Sequence, residues 1–206
     1  MIRVYRAPWS TNCERIALAL AHKGLEAESV MIDYADRRPV EEASGQPLIP
    51  VIADGGEVVA DSVAIIRHLD RRYGEPLLFP PDDPERAHCE VFVEWFNEVY
   101  KHAPNGIETE LEGSPDLAVV AELEGRLDAH LDLFERLLTG RDYFLDEFSA
   151  ADIVAYPHLK YAAGRPDGDD ELFHVILDER QSVEGRPRLA AWIERVRARP
   201  VAFGPV

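Results

Sequence analysis

Apolar and polar positions alternate over Ile2–Tyr5, and from Arg15 to Lys23 the apolar residues recur at helical spacing until Gly24 stops them. A strand feeding a helix is predicted, joined through the polar front of Pro8–Leu20, PWSTNCERIALAL. Glu28–Ile32 is a second apolar run, and a strand reached through a crossover helix pairs parallel with the first. The polar segment Asp33–Gly45 carries Arg37, Arg38 and Pro39, with a short irregular helix expected over Val40–Ala43. In Gln46–Ile52 a proline stands between β-forming residues. Such a proline suits a strand entrance, particularly as a cis bond that turns the chain, so Pro50 is expected to be cis. Asp54-Gly55-Gly56-Glu57 predicts a hairpin turn between Val51–Ala53 and Val58–Ala60. Asp61-Ser62 then opens a helix with apolar positions Val63, Ile65, Ile66, Leu69 and Tyr73, closed by Gly74.

After the proline-rich connection Glu75–Pro84 the pattern becomes purely helical. Asp83–Tyr100 has Val91, Trp95, Phe96 and Val99 at helical spacing, and Leu117–Leu138 has Leu123, Leu127, Leu131, Phe134, Leu137 and Leu138, so the two faces are expected to pack as in a bundle. Ser149 as N-cap with Asp152 three residues on forms a variant capping box, and Phe148 against Ile153 a hydrophobic staple. This reads as the start of a buried helix without chemistry. Gly164–Asp170 reads as a loop and Pro187–Arg199 as a last amphipathic helix.

Charge changes the picture of the partners. The 206 residues hold 22 Lys/Arg against 39 Asp/Glu, net −17, which argues against nucleic acid and anionic membrane surfaces. Residues 1–80 hold 9 basic and 12 acidic residues and the remaining 126 hold 13 and 27, so the first part is nearly neutral and can accept an anionic ligand. No basic segment leads into an apolar run and no stretch approaches a membrane span, so a soluble, cytoplasmic protein is expected. Cys13 and Cys89 stand far apart and make neither a disulfide framework nor a C-x-x-C site. The seven histidines are scattered without paired ligand spacing, so no metal site is expected.

The candidate chemistry lies where the first strand meets the first helix. A helix start has unpaired N–H groups and partial positive charge, which favour a thiolate or oxyanion beside Ser10, Thr11, Asn12 or Cys13. Cys13 is one turn inside the helix and followed by apolar positions, which suits a small buried residue more than a redox group.

The order of these pieces resembles the cytosolic glutathione transferase superfamily: a reactive residue opening the first helix, Ile49-Pro50 before a hairpin, Asp61-Ser62 opening the next helix, a proline-rich linker, and Phe148-Ser149-Ala150-Ala151-Asp152-Ile153 in a helical second half. The resemblance covers essentially the whole chain. It implies an α/β plus all-α fold: a thioredoxin-like, glutathione-binding domain over 1–76, a linker at 77–83, and a helical-bundle domain over 84–206. It implies that Ile49, beside cis Pro50, offers backbone N–H and C=O to the cysteinyl part of glutathione, and that Asp61 and Ser62 meet the γ-glutamyl ammonium and carboxylate. Ser10, in an S-x-x-C spacing with Cys13 similar to theta- and delta-like members, would donate to the thiolate; a register two residues earlier, as in tau- and zeta-like members, meets Pro8 instead and would leave Thr11 or Asn12 as donor. Trp9 would line a pocket for an apolar electrophile in the cleft between domains, with Trp95 and Tyr100 either pocket wall or core. Leu48 stands where many members have a polar or basic residue, and Asp61 where most have Glu or Gln; Arg37 or Arg38 are candidates for the missing charge. The implied activity is conjugation of the glutathione thiolate to an apolar electrophile, in the manner of detoxification. Glutathione would be a co-substrate with no further cofactor, and the protein a homodimer. The alternatives are a glutathione-dependent isomerase or dehalogenase, and a non-catalytic binding module of the same fold.

Overall fold

The computed structural model describes residues 1–204. They form two compact units: Met1–Pro81 joined by the segment from Arg199 onward, and Asp82–Ala198.

In the first unit β1 (Ile2–Arg6), β2 (Ala27–Met31), β3 (Val51–Asp54) and β4 (Glu57–Ala60) form one sheet in the order β2-β1-β3-β4. β1 pairs parallel with β2, as the crossover requires, and antiparallel with β3. The β3–β4 hairpin turns through Gly55 and Gly56 at φ 60 and 95, conformations that side chains rarely adopt. Around the sheet stand α1 (Thr11–His22), α2 (Arg38–Ser44) and α3 (Ser62–Tyr73). Helix α1 starts four residues earlier than its apolar spacing predicts, because Ser10 caps it. The side chain of Ile49 packs on Ile32, Val40 and Val51.

Within the proline-rich connection Glu75–Pro84, Leu78 N–H donates to Asp70 at 2.6 Å and the Lys23 ammonium donates to the Pro76 carbonyl at 2.8 Å, which ties it to α3 and to the C-cap of α1. Residues 199–203 also return to this unit. Ala202 N–H reaches the Ala17 carbonyl at 3.0 Å, the Arg6 guanidinium lies 4.4 Å over the Phe203 ring, and Arg199 meets His22 at 3.0 Å.

The second unit holds α4 (Asp83–Trp95), a π-helical turn Phe96–Tyr100, α5 (His102–Leu111), α6 (Leu117–Leu137), α7 (Ala150–Leu159), a 3-10 turn Lys160–Ala163, α8 (Leu172–Arg180) and α9 (Pro187–Arg197). Gly106 lets α5 approach α6 closely: a Cβ there would meet Leu123 at 2.8 Å. The core is aromatic. Phe92, Phe96, Phe134 and Phe144 contact one another, and Phe144 meets Trp192 with centroids 4.7 Å apart. The capping box is present: Ser149 and Asp152 exchange side-chain and backbone bonds, and Trp192 Nε1 donates to Asp152 at 2.7 Å.

Candidate functional site

The Ile49–Pro50 peptide is cis, at the head of β3. The helix starts at Ser10 and at Asp61-Ser62 are stitched together by side chains. Ser62 Oγ accepts from the Arg15 guanidinium at 3.1 Å and lies 3.5 Å from Asn12 Oδ1, so α1 and α3 are bonded across their first turns. Two dipoles thus present their positive ends to one neighbourhood, which favours an anionic ligand.

Ser10 is half-buried and its Oγ accepts the Cys13 N–H at 3.3 Å, as an N-cap does. That bond uses a lone pair and leaves the hydroxyl hydrogen to donate, with the Cys13 thiol near enough to compete for it. Trp9 precedes it at φ 57 and Asp61 precedes Ser62 at φ 74. These are the described non-glycine residues at positive φ, and both stand directly before a helix-opening residue of the pair. Asp61 Oδ1 accepts Val63 N–H at 3.0 Å and Ala64 N–H at 2.9 Å, while Ile65 N–H donates to the Asp61 carbonyl. Of the first N–H groups of α3, that of Ser62 takes no part in these capping bonds, and neither does the second carboxylate oxygen of the exposed Asp61.

Sequence reasoning missed Arg15. It is 1% exposed, close enough to Asp61 to feel its charge, and burial lowers its pKa to about 9. A lone arginine heading the run Ile16–Leu20 was the available signal. Cys13 is buried, and burial raises its thiol pKa against the opposing hydrogen bond from Ser10. At the rim, Arg38 pairs with Asp36 at 2.6 Å, whereas Arg37 lies 4.8 Å over the Tyr34 ring and donates to the Pro47 carbonyl at 3.0 Å, next to Leu48. Leu48 itself is 70% exposed, its backbone clamped by the Gln46 amide.

In the helical unit the half-buried Trp95 sets its ring edge-on to His130 and Phe134. Tyr100 is 0% exposed and stacks on Phe96 at 4.4 Å, inside the aromatic core. No described helix is long and apolar enough to cross a membrane.

A thioredoxin-like sheet with a cis-proline heading its third strand, followed by an all-helical half, is the architecture of the cytosolic glutathione transferases. The chain belongs to that family. Residues 4–77 match the family model "Glutathione S-transferase, N-terminal domain" and residues 118–195 match "Glutathione S-transferase, C-terminal domain". It is 32% identical to Glutathione S-transferase 3 of Zea mays, over 97% of this chain and 90% of that protein. It is 28% identical to FtsZ-localized protein A of Caulobacter vibrioides, over 76% of this chain and 75% of that one. Among solved structures, glutathione S-transferase III in its apo form is similar at 29% identity and a TM-score of 0.73, with 97% of this chain and 92% of that chain covered.

Proposed function

We propose that this protein is a glutathione transferase in which Ser10 stabilises the glutathione thiolate for attack on an apolar electrophile. The observation that carries the reading is the joining of the two helix starts through Arg15, Ser62 and Asn12, in a domain whose third strand is headed by the cis Ile49–Pro50 bond. Glutathione would run along Ile49 by backbone bonds, with its ammonium at Asp61 and its α-carboxylate at the Ser62 N–H. Arg37, fixed beside Pro47, would supply the charge for the glycyl carboxylate that Leu48 lacks. The thiol proton leaves to solvent, and the Ser10 O–H donates to the sulfur anion, whose pKa falls. Sulfur then bonds to the electrophilic carbon, and the leaving group departs with its electron pair or the neighbouring carbon takes a proton. Isomerisation and dehalogenation use the same first step. The protein would act as a homodimer in the cytoplasm with glutathione as its co-substrate, and sedimentation tests the dimer.

A second reading, a glutathione-transferase-like interaction module, draws on the relative whose name is FtsZ-localized protein A and on Leu48, an exposed leucine beside the peptide-binding edge. One experiment separates the two: retention on immobilised glutathione, together with conjugation of a generic aryl halide by wild type and Ser10→Ala. Retention with turnover that collapses in the variant supports the transferase. Neither retention nor turnover removes it and leaves the module.

A further inference from the structure

The helical unit has an open cavity at its surface, about 570 Å³, lined by exposed residues except for Leu138 and the half-buried Arg195. One wall is α9 and the other is the loop that follows α6. Arg188, Ala191 and Arg195 share one face of α9, so two guanidiniums flank a gap left open by the small alanine. Arg141 faces them from the loop. Three arginines around one opening stand out in a half of the chain where 13 basic residues face 27 acidic ones.

Each guanidinium has partners that use part of its donor set. Arg195 donates to the Asp142 carbonyl at 2.7 Å and pairs with its carboxylate at 2.8 Å. Arg188 pairs with Glu135 at 3.0 Å, and that same carboxylate accepts Leu189 N–H at 2.8 Å. Arg141 donates to the Phe144 carbonyl at 3.4 Å and stands 3.9 Å from Asp146. A guanidinium carries donors on both edges, so each keeps some beyond these bonds. The competing carboxylates of Asp142 and Asp146 are 72% and 67% exposed, and ion pairs that exposed hold their partners weakly, whereas Glu135, 12% exposed, keeps its bond to one nitrogen of Arg188.

We propose that this cavity binds a small oxyanion of the phosphate or sulfate type, free or as the head of an organic ester. The oxygens would take the open donors of Arg188 and Arg195 across Ala191, since the planar fork matches such groups bidentately. Asp142 would turn to solvent, and the rest of an ester would extend away from the three arginines. This site is independent of the thiol chemistry proposed above.

Titration calorimetry on the full chain tests it, with inorganic phosphate and phenyl phosphate as probes at about 0.05 M salt. The expected result is one saturable site that weakens as salt rises to about 0.3 M. Tighter phenyl phosphate assigns the site to an ester, and equal affinity assigns it to the free ion. The double variant Arg188→Gln, Arg195→Gln weakens binding about tenfold or more, with circular dichroism verifying its fold. Asp142→Asn tightens binding several-fold by removing the competing carboxylate, a gain that no folding defect can imitate. Absence of saturable heat, heat unchanged in the double variant, or no gain in Asp142→Asn overturns the proposal.

Discussion

Helices α1 and α3 on one side and α7 on the other begin on nearly the same residue types, and they use them in opposite ways. At α7 both cap residues are buried, and the Asp152 oxygens accept Phe144 N–H at 3.1 Å, Ser149 N–H at 3.0 Å and Trp192 Nε1–H at 2.7 Å. At α1 and α3 the caps are half-buried or exposed, one sits at φ 74 and the other follows a residue at φ 57, and each keeps a polar group beyond its capping bond. A serine or aspartate before an apolar run therefore states where a helix starts. Burial and backbone strain separate a start locked into the core from one that keeps polar groups open.

The largest expected effect falls on the buried cap. Asp152→Ala strands the Trp192 and Phe144 donors in the core and costs about 3–5 kcal/mol of stability, measurable by urea unfolding. Burial raises the Asp152 carboxyl from 3.8 to about 6 against its hydrogen bonds. Its native pKa lies above the unfolded one, so the native state binds more protons between these values. Its contribution is therefore largest below pH about 4 and is lost as pH rises through about 6. Unfolding across that window should show the falling slope in wild type and a flatter one in Asp152→Asn. An unchanged slope would remove Asp152 from the account.

At the open cap the effect moves from stability to turnover. Ser10→Ala should lower conjugation about 10²–10³-fold, as the loss of one donor to a reactive anion does. Its stability should fall by only about 1 kcal/mol, the worth of an N-cap. If turnover survives while stability drops, Ser10 is a cap like Ser149, and Thr11 and Asn12 become the donors to test. Asp61→Gly comes next. Glycine accepts φ 74 without strain, which offsets the lost cap bonds, so stability should change by less than about 1 kcal/mol. Retention on immobilised glutathione should nonetheless weaken about tenfold or more, since a charged hydrogen bond is lost. Equal retention would place the ammonium elsewhere.

What was legible in the sequence was local. The hairpin rests on Gly55-Gly56, the helix starts on Ser10, Asp61 and Ser149, and the parallel β1–β2 pair on one crossover; each signal lies within a few residues of the structure it makes. What was hidden depended on distant packing. Helix α5 carries Pro104, Asn105 and Gly106, residue types that disfavour a helix on their own, and Gly106 leaves room for the Leu123 side chain. Helix α8 follows a Gly-Asp-Asp loop whose Asp169 bonds both His174 and Tyr161 in the interior, an arrangement without any spacing signature. Arg15 belongs to the same class, because its partner Ser62 is 47 residues away.

Tyr100 marks the smallest effect and the sharpest question about the second substrate. Placed from the sequence at a pocket wall or in the core, it is enclosed by Phe96, Phe134, His130 and His158. Burial raises its phenol pKa, and its hydroxyl makes no bond of normal geometry, although the Gln181 side chain is near enough to influence it. A hydroxyl in that state adds nothing that a phenylalanine ring lacks. Tyr100→Phe should therefore leave stability unchanged or raise it by about 1 kcal/mol, since an unbonded buried hydroxyl costs free energy, and leave the KM for every electrophile unaltered. A selective rise in KM for one class of electrophile, with glutathione retention intact, would mean that this part of the core opens to admit substrate. Tyr100 would then join Trp9 and Trp95 as a residue to vary in searching for the second substrate.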